Sequence, residues 1–244
     1  MSGINLADKI VLITGAARRV GRALALSVAQ AGATVIIHHS RSPTEAEEVR
    51  AEIDSIGSKA YILRADLSEP TQVASLIPQA LVYGPLYALI NSAAIFEPLT
   101  ISSTDISAWE RHLAINLTAP FLLSQAFFTN LAPGNEGRII NILDWRALRP
   151  SSDHLPYTIS KAALAALTRS MAVALAPRIT VNGLAFGAIL PPSDGAELKG
   201  IIDNVPANRW ANLDEVGQAL IFLLTGPSYI TGEILHVDGG RHLI

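Results

Sequence analysis

Short, unbroken apolar runs recur along the chain, each ending in a turn or polar loop and followed by a helical pattern. Ile10–Ile13, Thr34–Ile37, Ala60–Ala65, Ala88–Ile90, Arg138–Leu143, Ile179–Leu184 and Glu233–Val237 show little apolar/polar alternation. That is the signature of strands buried on both faces of a parallel sheet. A first helix is predicted through Ala31 with Gly32 as its C′ residue, and a second from Ser42 to about Ile56, ending at Gly57. A third opens at Asp66 or Ser68, and Pro78 is expected to break or kink it. A long helix spans about Ser107 to Leu131 with a bend near Pro120. Two more cover Tyr157–Ala176 and Leu213–Thr225, the latter capped by Asn212. Steady β–α alternation, with no repeat and no Pro/Gly-rich linker, predicts a single α/β domain on a doubly wound parallel sheet of about seven strands.

Composition narrows the function classes. Half of the 244 residues are hydrophobic and 16% are charged, which suits a sheet covered on both sides. The formal net charge of −3 gives no reason to expect nucleic acid or an anionic membrane as a partner. With no cysteine there is no disulfide, thiolate metal site or cysteine nucleophile, and no histidine–carboxylate spacing suggests another metal site. Met1–Lys9 lacks signal-peptide character and no apolar run reaches membrane-spanning length, so a cytoplasmic protein is expected.

The candidate chemistry lies at the predicted strand ends. After the first strand, Thr14-Gly15-Ala16-Ala17-Arg18-Arg19-Val20-Gly21 leads into a helix. Gly15 permits a sharp turn and Gly21 a close approach, so the helix N-terminus can receive a phosphate; an ordinary tight turn is the alternative. The second strand runs into His38-His39-Ser40-Arg41-Ser42. No acid is present there to meet a ribose hydroxyl, whereas Arg41, with Arg18 or Arg19, suits a 2′-phosphate, so NADPH is expected over NADH. Ser42-Pro43-Thr44-Glu45 also reads as a capping box, and the two histidines read as loop residues. Asp66-Leu67 ends the third strand and Asn91-Ser92-Ala93 the fourth; Asp66 can meet an adenine or simply cap a turn. Phe96, in the loop beyond, offers a flat face or a hydrophobic plug, and Asn116 is a polar residue in an apolar helix that needs partners.

The stretch from Arg138 to Ala176 holds the strongest constellation. Asp144 follows a buried strand, at the edge where open α/β sheets bind ligands. Tyr157 and Lys161 are four apart, one turn above the other on a helix. An ammonium beside a phenol is expected to lower the phenol pKa and equip it for acid–base work near neutrality. Trp145 and Trp210 are pocket or packing residues, and the loop over 191–210 is a candidate lid.

Thr14-Gly15 with Gly21, then Asp66, Asn91 with Ala93, Asn116, Tyr157 with Lys161 and Asp238-Gly239-Gly240 stand in one order. In that order they resemble the short-chain dehydrogenase/reductase family over essentially the whole chain, with a Rossmann-like fold. The family usually places Ser thirteen residues before the Tyr, where this chain has Asp144, and Gly where it has Arg19. Both departures, with Arg41-Ser42, Phe96 and the Asp238-Gly239-Gly240-Arg241-His242-Leu243 ending, resemble the pteridine reductase branch and bacterial dihydromonapterin or dihydrofolate reductases. Two departures remain: Ala94, where the trypanosomatid enzymes of that branch have Ser, and Phe186, where the family commonly has Pro.

The resemblance implies a nucleotide-binding part over about 8–95 and a catalytic and substrate part over about 96–244. Gly15, Arg18, Arg19, Val20, Gly21, His38, Ser40, Arg41, Ser42, Asp66, Leu67, Asn91, Ser92, Ala93, Gly187 and Ile189 would contact NADPH, with Tyr157 and Lys161. Asp144, Tyr157, Lys161 and Asn116 would form the catalytic set, and Arg19, Phe96, Asp144 and Tyr157 would meet the pterin. Asn116 would hold a water that links Lys161 to solvent. The apolar helix at Tyr157–Ala176 and its predecessor would join a homotetramer. Reduction of another carbonyl substrate, or nucleotide binding without catalysis, are the rival readings.

Overall fold

The computed structural model describes residues 5–190 and 200–244. The first strand, β1 (Ile10–Ile13), is followed by α1 (Arg19–Gln30), β2 (Thr34–His39), α2 (Pro43–Ser55), β3 (Ala60–Arg64), α3 (Pro70–Leu81) and β4 (Leu86–Asn91). The second half holds α4 (Ile106–Leu113), α5 (Ala119–Asn130), β5 (Gly137–Asp144), α6 (Leu155–Leu175), β6 (Ile179–Phe186), α7 (Leu213–Thr225) and β7 (Ile234–Val237). The strands form one seven-stranded sheet in the order β3-β2-β1-β4-β5-β6-β7. Every neighbouring pair is parallel, so all C-terminal strand ends line one edge. The order reverses between β1 and β4, where doubly wound sheets open a crevice.

Helices cover both faces. Val11, Ile13, Val35, Ile37 and Ile90 pack toward α1, α2 and α7 through Leu24, Val28, Val49, Ile53, Leu220 and Leu224. Leu12, Ile36, Leu89 and Ile139 pack the other way, against α3, α5 and α6 through Val73, Leu76, Ile77, Leu123, Phe127 and Met171. Successive residues of one strand alternate between the two cores, which is why the strands read as continuous apolar runs.

Several expected boundaries move. His38 and His39 are not loop residues: β2 extends through them, and both are buried. The capping box at Ser42 does not form; Glu45 instead reaches Arg18, 3.7 Å away. Asp66 and Ser68 make a turn before α3, whose N-cap is Glu69, with Pro70 in its first turn. Pro78 does not break α3, because buried Val73, Leu76, Ile77 and Ala80 hold it on the sheet. The long helix is interrupted upstream of Pro120, by a π-helical turn at Ala114–Thr118. Helix α6 begins two residues before Tyr157, with Pro156 in its first turn. Asn212 caps α7 as expected, in a capping box with Glu215. The expected lid falls partly on 191–199, outside the described residues.

Phe127 is 2% exposed and its ring fills the place where a side chain on Gly137 would begin. Phe127→Ala should therefore lower unfolding free energy by about 3–5 kcal/mol, read from the midpoint and slope of urea denaturation.

Candidate active site

The ligand edge is built from the β1–α1 turn upward. A Cβ on Gly21 would stand 2.1 Å from the Gly15 carbonyl oxygen, and one on Gly15 would stand 2.9 Å from the Ala93 Cα. Glycine at both places lets the turn curl onto its helix and touch the end of β4. Thr14 ties the same two segments: its Oγ1 accepts from the Ser92 and Ala93 N–H groups at 2.9 and 3.0 Å. His38 supports the turn from below. Its Nδ1 accepts from the Gly15 N–H at 3.2 Å and its Nε2 bonds the Ala65 carbonyl at 3.1 Å. The side chain is thus a brace for the turn rather than a surface group. Burial pushes its pKa from 6.5 down to about 4.

The charged groups predicted at this edge converge. Arg18 lies 3.7 Å from Glu45, and Arg41 lies 3.7 Å from Asp66 with its side chain 88% exposed. Hydrogen bonds from the Ser68 hydroxyl and N–H hold the Asp66 carboxyl below its usual range, with Arg41 adding to them. Arg19 has φ +52°, a left-handed conformation that a side chain adopts at a cost and that gathers at functional sites. Asn91 is buried in a network with Asn141, which bonds Thr168, so its amide braces β4 against β5. Gly187 touches Asp238 at the ends of β6 and β7, and Ile189 is buried in the core beneath.

The second half of the site centres on the end of β5. Tyr157 donates from its hydroxyl to the Asp144 carboxylate at 3.2 Å. Lys161 donates from Nζ to the Ile142 carbonyl at 2.7 Å and lies over the Tyr157 ring. Burial is the largest influence on all three groups. It raises Asp144, against opposing contributions from Arg146, Lys161 and Tyr157. It raises Tyr157 well above 10, helped by the charge and hydrogen bond of Asp144. It lowers Lys161 from 10.5 to about 8. The expected lowering of the Tyr157 pKa is therefore corrected: exclusion of water and a carboxylate neighbour raise it, with the Arg146 charge alone opposing them.

Asn116 sits in the π-helical turn, fully buried. Its Oδ1 accepts from the Ile95 N–H at 2.9 Å, and its Nδ2 donates to the Ile95 carbonyl and to Ser160 Oγ, each at 3.0 Å. The side chain thus pins the loop after β4 to α6, and its donors are all used. That loop carries Phe96, which stacks on His154 (centroids 3.9 Å apart, 12° between planes) and meets Tyr157 edge-on at 4.6 Å. The structure so brings Phe96, Asp144, Tyr157 and Lys161 together.

Arg146 and His154 have no clear sequence signal, and Arg241 is legible only as part of the chain's ending. Arg146 donates its N–H to Asp144 Oδ1 at 2.9 Å, lies 3.4 Å from Asp153 and stands over the Phe96 and Trp145 rings. His154, at φ +52°, is fixed by Asp153 at 2.8 Å. Burial alone would raise Asp153, but bonds from Ser151 and His154 and the Arg146 charge bring it to about 2. Arg241, from the tail, lies over Trp145 at 4.4 Å.

A family profile described as enoyl-(acyl carrier protein) reductase matches residues 15–242. A short-chain type dehydrogenase/reductase of Picea abies is 32% identical over 97% of this chain and 93% of its own length. This chain is a short-chain dehydrogenase/reductase. The family's 3-oxoacyl-[acyl-carrier-protein] reductase of Synechocystis is 31% identical, covering 96% of this chain and 97% of the relative. A solved structure of FolM alternative dihydrofolate reductase 1 from Brucella canis, complexed with NADP, superposes with a TM-score of 0.90. It is 35% identical and covers 98% of this dehydrogenase/reductase and 96% of the Brucella chain.

For His38, the folded pKa lies below the unfolded one, so the unfolded chain binds more protons between pH 6.5 and about 4. Its contribution to stability is complete above 6.5 and declines as pH falls toward 4. Urea midpoints of the wild type and His38→Gln should converge across that window; parallel pH profiles would contradict the assignment.

Proposed function

We propose that this short-chain dehydrogenase/reductase uses NADPH to reduce a pteridine or dihydropterin, with hydride adding to the carbon of a C=N bond and a proton to its nitrogen. The observation that carries the reading is the buried hydrogen bond between Tyr157 and Asp144, 3.2 Å long, directly beside the Phe96 ring. The β1–α1 turn fits a phosphate-bearing cofactor: Gly15 and Gly21 leave a cradle that side chains would fill. Arg18 and Arg41 lie at the same edge, and no acid ends β2, which suits a 2′-phosphate. The Brucella relative complexed with NADP supports the same choice.

Bound NADPH would supply the hydride. The rest is proton handling by this chain. Burial shifts Asp144 and Tyr157 in the same direction, toward the protonated form, which is the direction a proton donor to the substrate nitrogen needs. Lys161 spends one donor on Ile142 and keeps two for the hydroxyls of a nicotinamide ribose. Pro120, four residues beyond Asn116, has no N–H to give the Asn116 carbonyl, and that oxygen would be the one to hold a water beside α6. His154 takes one side of Phe96, yet Phe96 remains 51% exposed and so offers its ring to a planar substrate. Arg19, strained at the mouth of the turn, would meet both cofactor phosphate and pterin edge. We read the protein as a cytoplasmic homotetramer whose exposed Phe121, Ile159 and Val173 on α5 and α6 are covered by other copies. No described helix is long and apolar enough to cross a membrane.

Carbonyl reduction is the competing reading, favoured by the acyl-carrier-protein reductase of Synechocystis. NADPH oxidation with dihydrobiopterin, dihydrofolate and a panel of ketones and aldehydes separates the two. Absence of turnover with every pterin at high enzyme concentration would sink the pterin reading. Tyr157→Phe should lower kcat by about 10²- to 10⁴-fold with NADPH affinity retained. Asp144→Ser should impair pterin reduction more than NADPH binding, seen as a kcat loss at an unchanged NADPH dissociation constant.

A further inference from the structure

The C-terminal tail folds back onto the active site. β6 and β7 are paired with Phe186 opposite Val237, and β5 and β6 with Asp144 opposite Phe186. Asp238 therefore emerges at the same edge as Asp144. Its carboxylate accepts from the Gly240 N–H at 2.9 Å, the His242 N–H at 2.8 Å and His242 Nδ1 at 2.7 Å. These bonds fix the turn that carries Arg241 over the Trp145 ring, next in sequence to Asp144.

Arg146 lies over the same ring at 4.9 Å. The two guanidinium groups differ in their neutralisation. Arg146 has Asp153 at 3.4 Å and Asp144 at 3.9 Å. Arg241 has no carboxylate within 4.0 Å among the described residues. It rests on the Trp145 ring and donates from Nη1 to the Ile201 carbonyl at 3.3 Å. Nε of Arg146 is buried and bonds nothing among the described residues. Two like charges over one ring repel, and the Asp144 carboxyl beside Arg146 is one whose burial favours its neutral form. Burial and the Arg146 charge lower the pKa of Arg241, against the charges of Asp144, Asp153 and Asp238. An anion placed there would relieve the repulsion.

We infer that Arg241, laid over Trp145 beside Arg146, is a specificity-determining residue that binds a carboxylate substituent of the substrate. The planar fork of a guanidinium held over an indole matches the planar fork of a carboxylate. The inference rests on the reading of the Asp144–Tyr157 edge as the substrate site, and it deepens the pterin reading by naming a carboxylate-bearing member of that class. The tail would thereby sort charged from uncharged substrates that share one reducible ring.

The test uses the full chain with NADPH bound. Calorimetry should compare an aromatic carboxylate with its amide, 4-aminobenzoate against 4-aminobenzamide. Steady-state assays should compare dihydrofolate, which carries carboxylates, with uncharged dihydrobiopterin. In the wild type the charged member should be favoured by about tenfold or more, the scale of a charge-assisted hydrogen bond, and the advantage should shrink as salt rises. In Arg241→Gln the ratio of charged to uncharged affinity should fall toward one, and Arg241→Lys, which keeps charge but loses the fork, should lie between. Equal affinity for carboxylate and amide in the wild type overturns the inference, as does an unchanged ratio in Arg241→Gln that still binds NADPH. Should Arg241→Gln fail to bind NADPH, the Arg241→Lys ratio decides: an unchanged preference overturns the inference. Failure to reduce any pterin strikes only the pterin reading, because the calorimetric comparison needs no turnover.

Discussion

Parallel strands covered by helices on both faces leave no room for exposed polarity along their length. Backbone groups of the seven strands satisfy one another, and the side chains between them are almost all apolar. Several of the polar side chains inside pair closely: Asn91 with Asn141, Asn141 with Thr168, His38 with Gly15 and Ala65. Chemistry is consequently confined to the edge where the strands stop. All pairs being parallel, that edge collects the β1–α1 turn, the Ser92–Ala93 segment, Asp144, Gly187 and Asp238 from strands far apart in the chain.

Exclusion of water then sets the electrostatics. For Asp144, Tyr157 and Lys161 alike, burial is the leading influence, and in each case it favours the neutral form. A phenol and a carboxyl both shifted toward protonation match the proton donation proposed for this site. The same burial opposes a charged lysine, which the Ile142 carbonyl and the nearby Asp144 offset in part. Strain lies at the mouth, where Arg19 and His154 take left-handed conformations with full side chains. Those two residues flank the cofactor turn and the Phe96 face, so the local cost falls where ligand contacts are expected.

The elements with local causes were legible along the chain. β1 spans Ile10–Ile13 and α7 spans Leu213–Thr225, as their apolar run and their capping asparagine indicate. Tyr157 and Lys161 share a helix face, and Asp144 ends its strand, for the same reason: strand ends and helical spacing are short-range properties. Helix α3 passes through Pro78 because burial of its apolar face outweighs one missing hydrogen bond, a balance that no local window contains.

The remaining features depend on residues distant in the chain. His38 becomes a buried brace only because β1 and β3 flank β2. The Tyr157 pKa rises because water is removed and Asp144 approaches, neither of which the four-residue spacing to Lys161 contains. Arg241 reaches Trp145 because β7 lies two strands from β5. Periodicity and spacing therefore set the strands, the helices and the Tyr157–Lys161 pairing of this dehydrogenase/reductase. The order of strands in the sheet, which decides what is buried and which ends meet, set the charges of that pair and the cations around it.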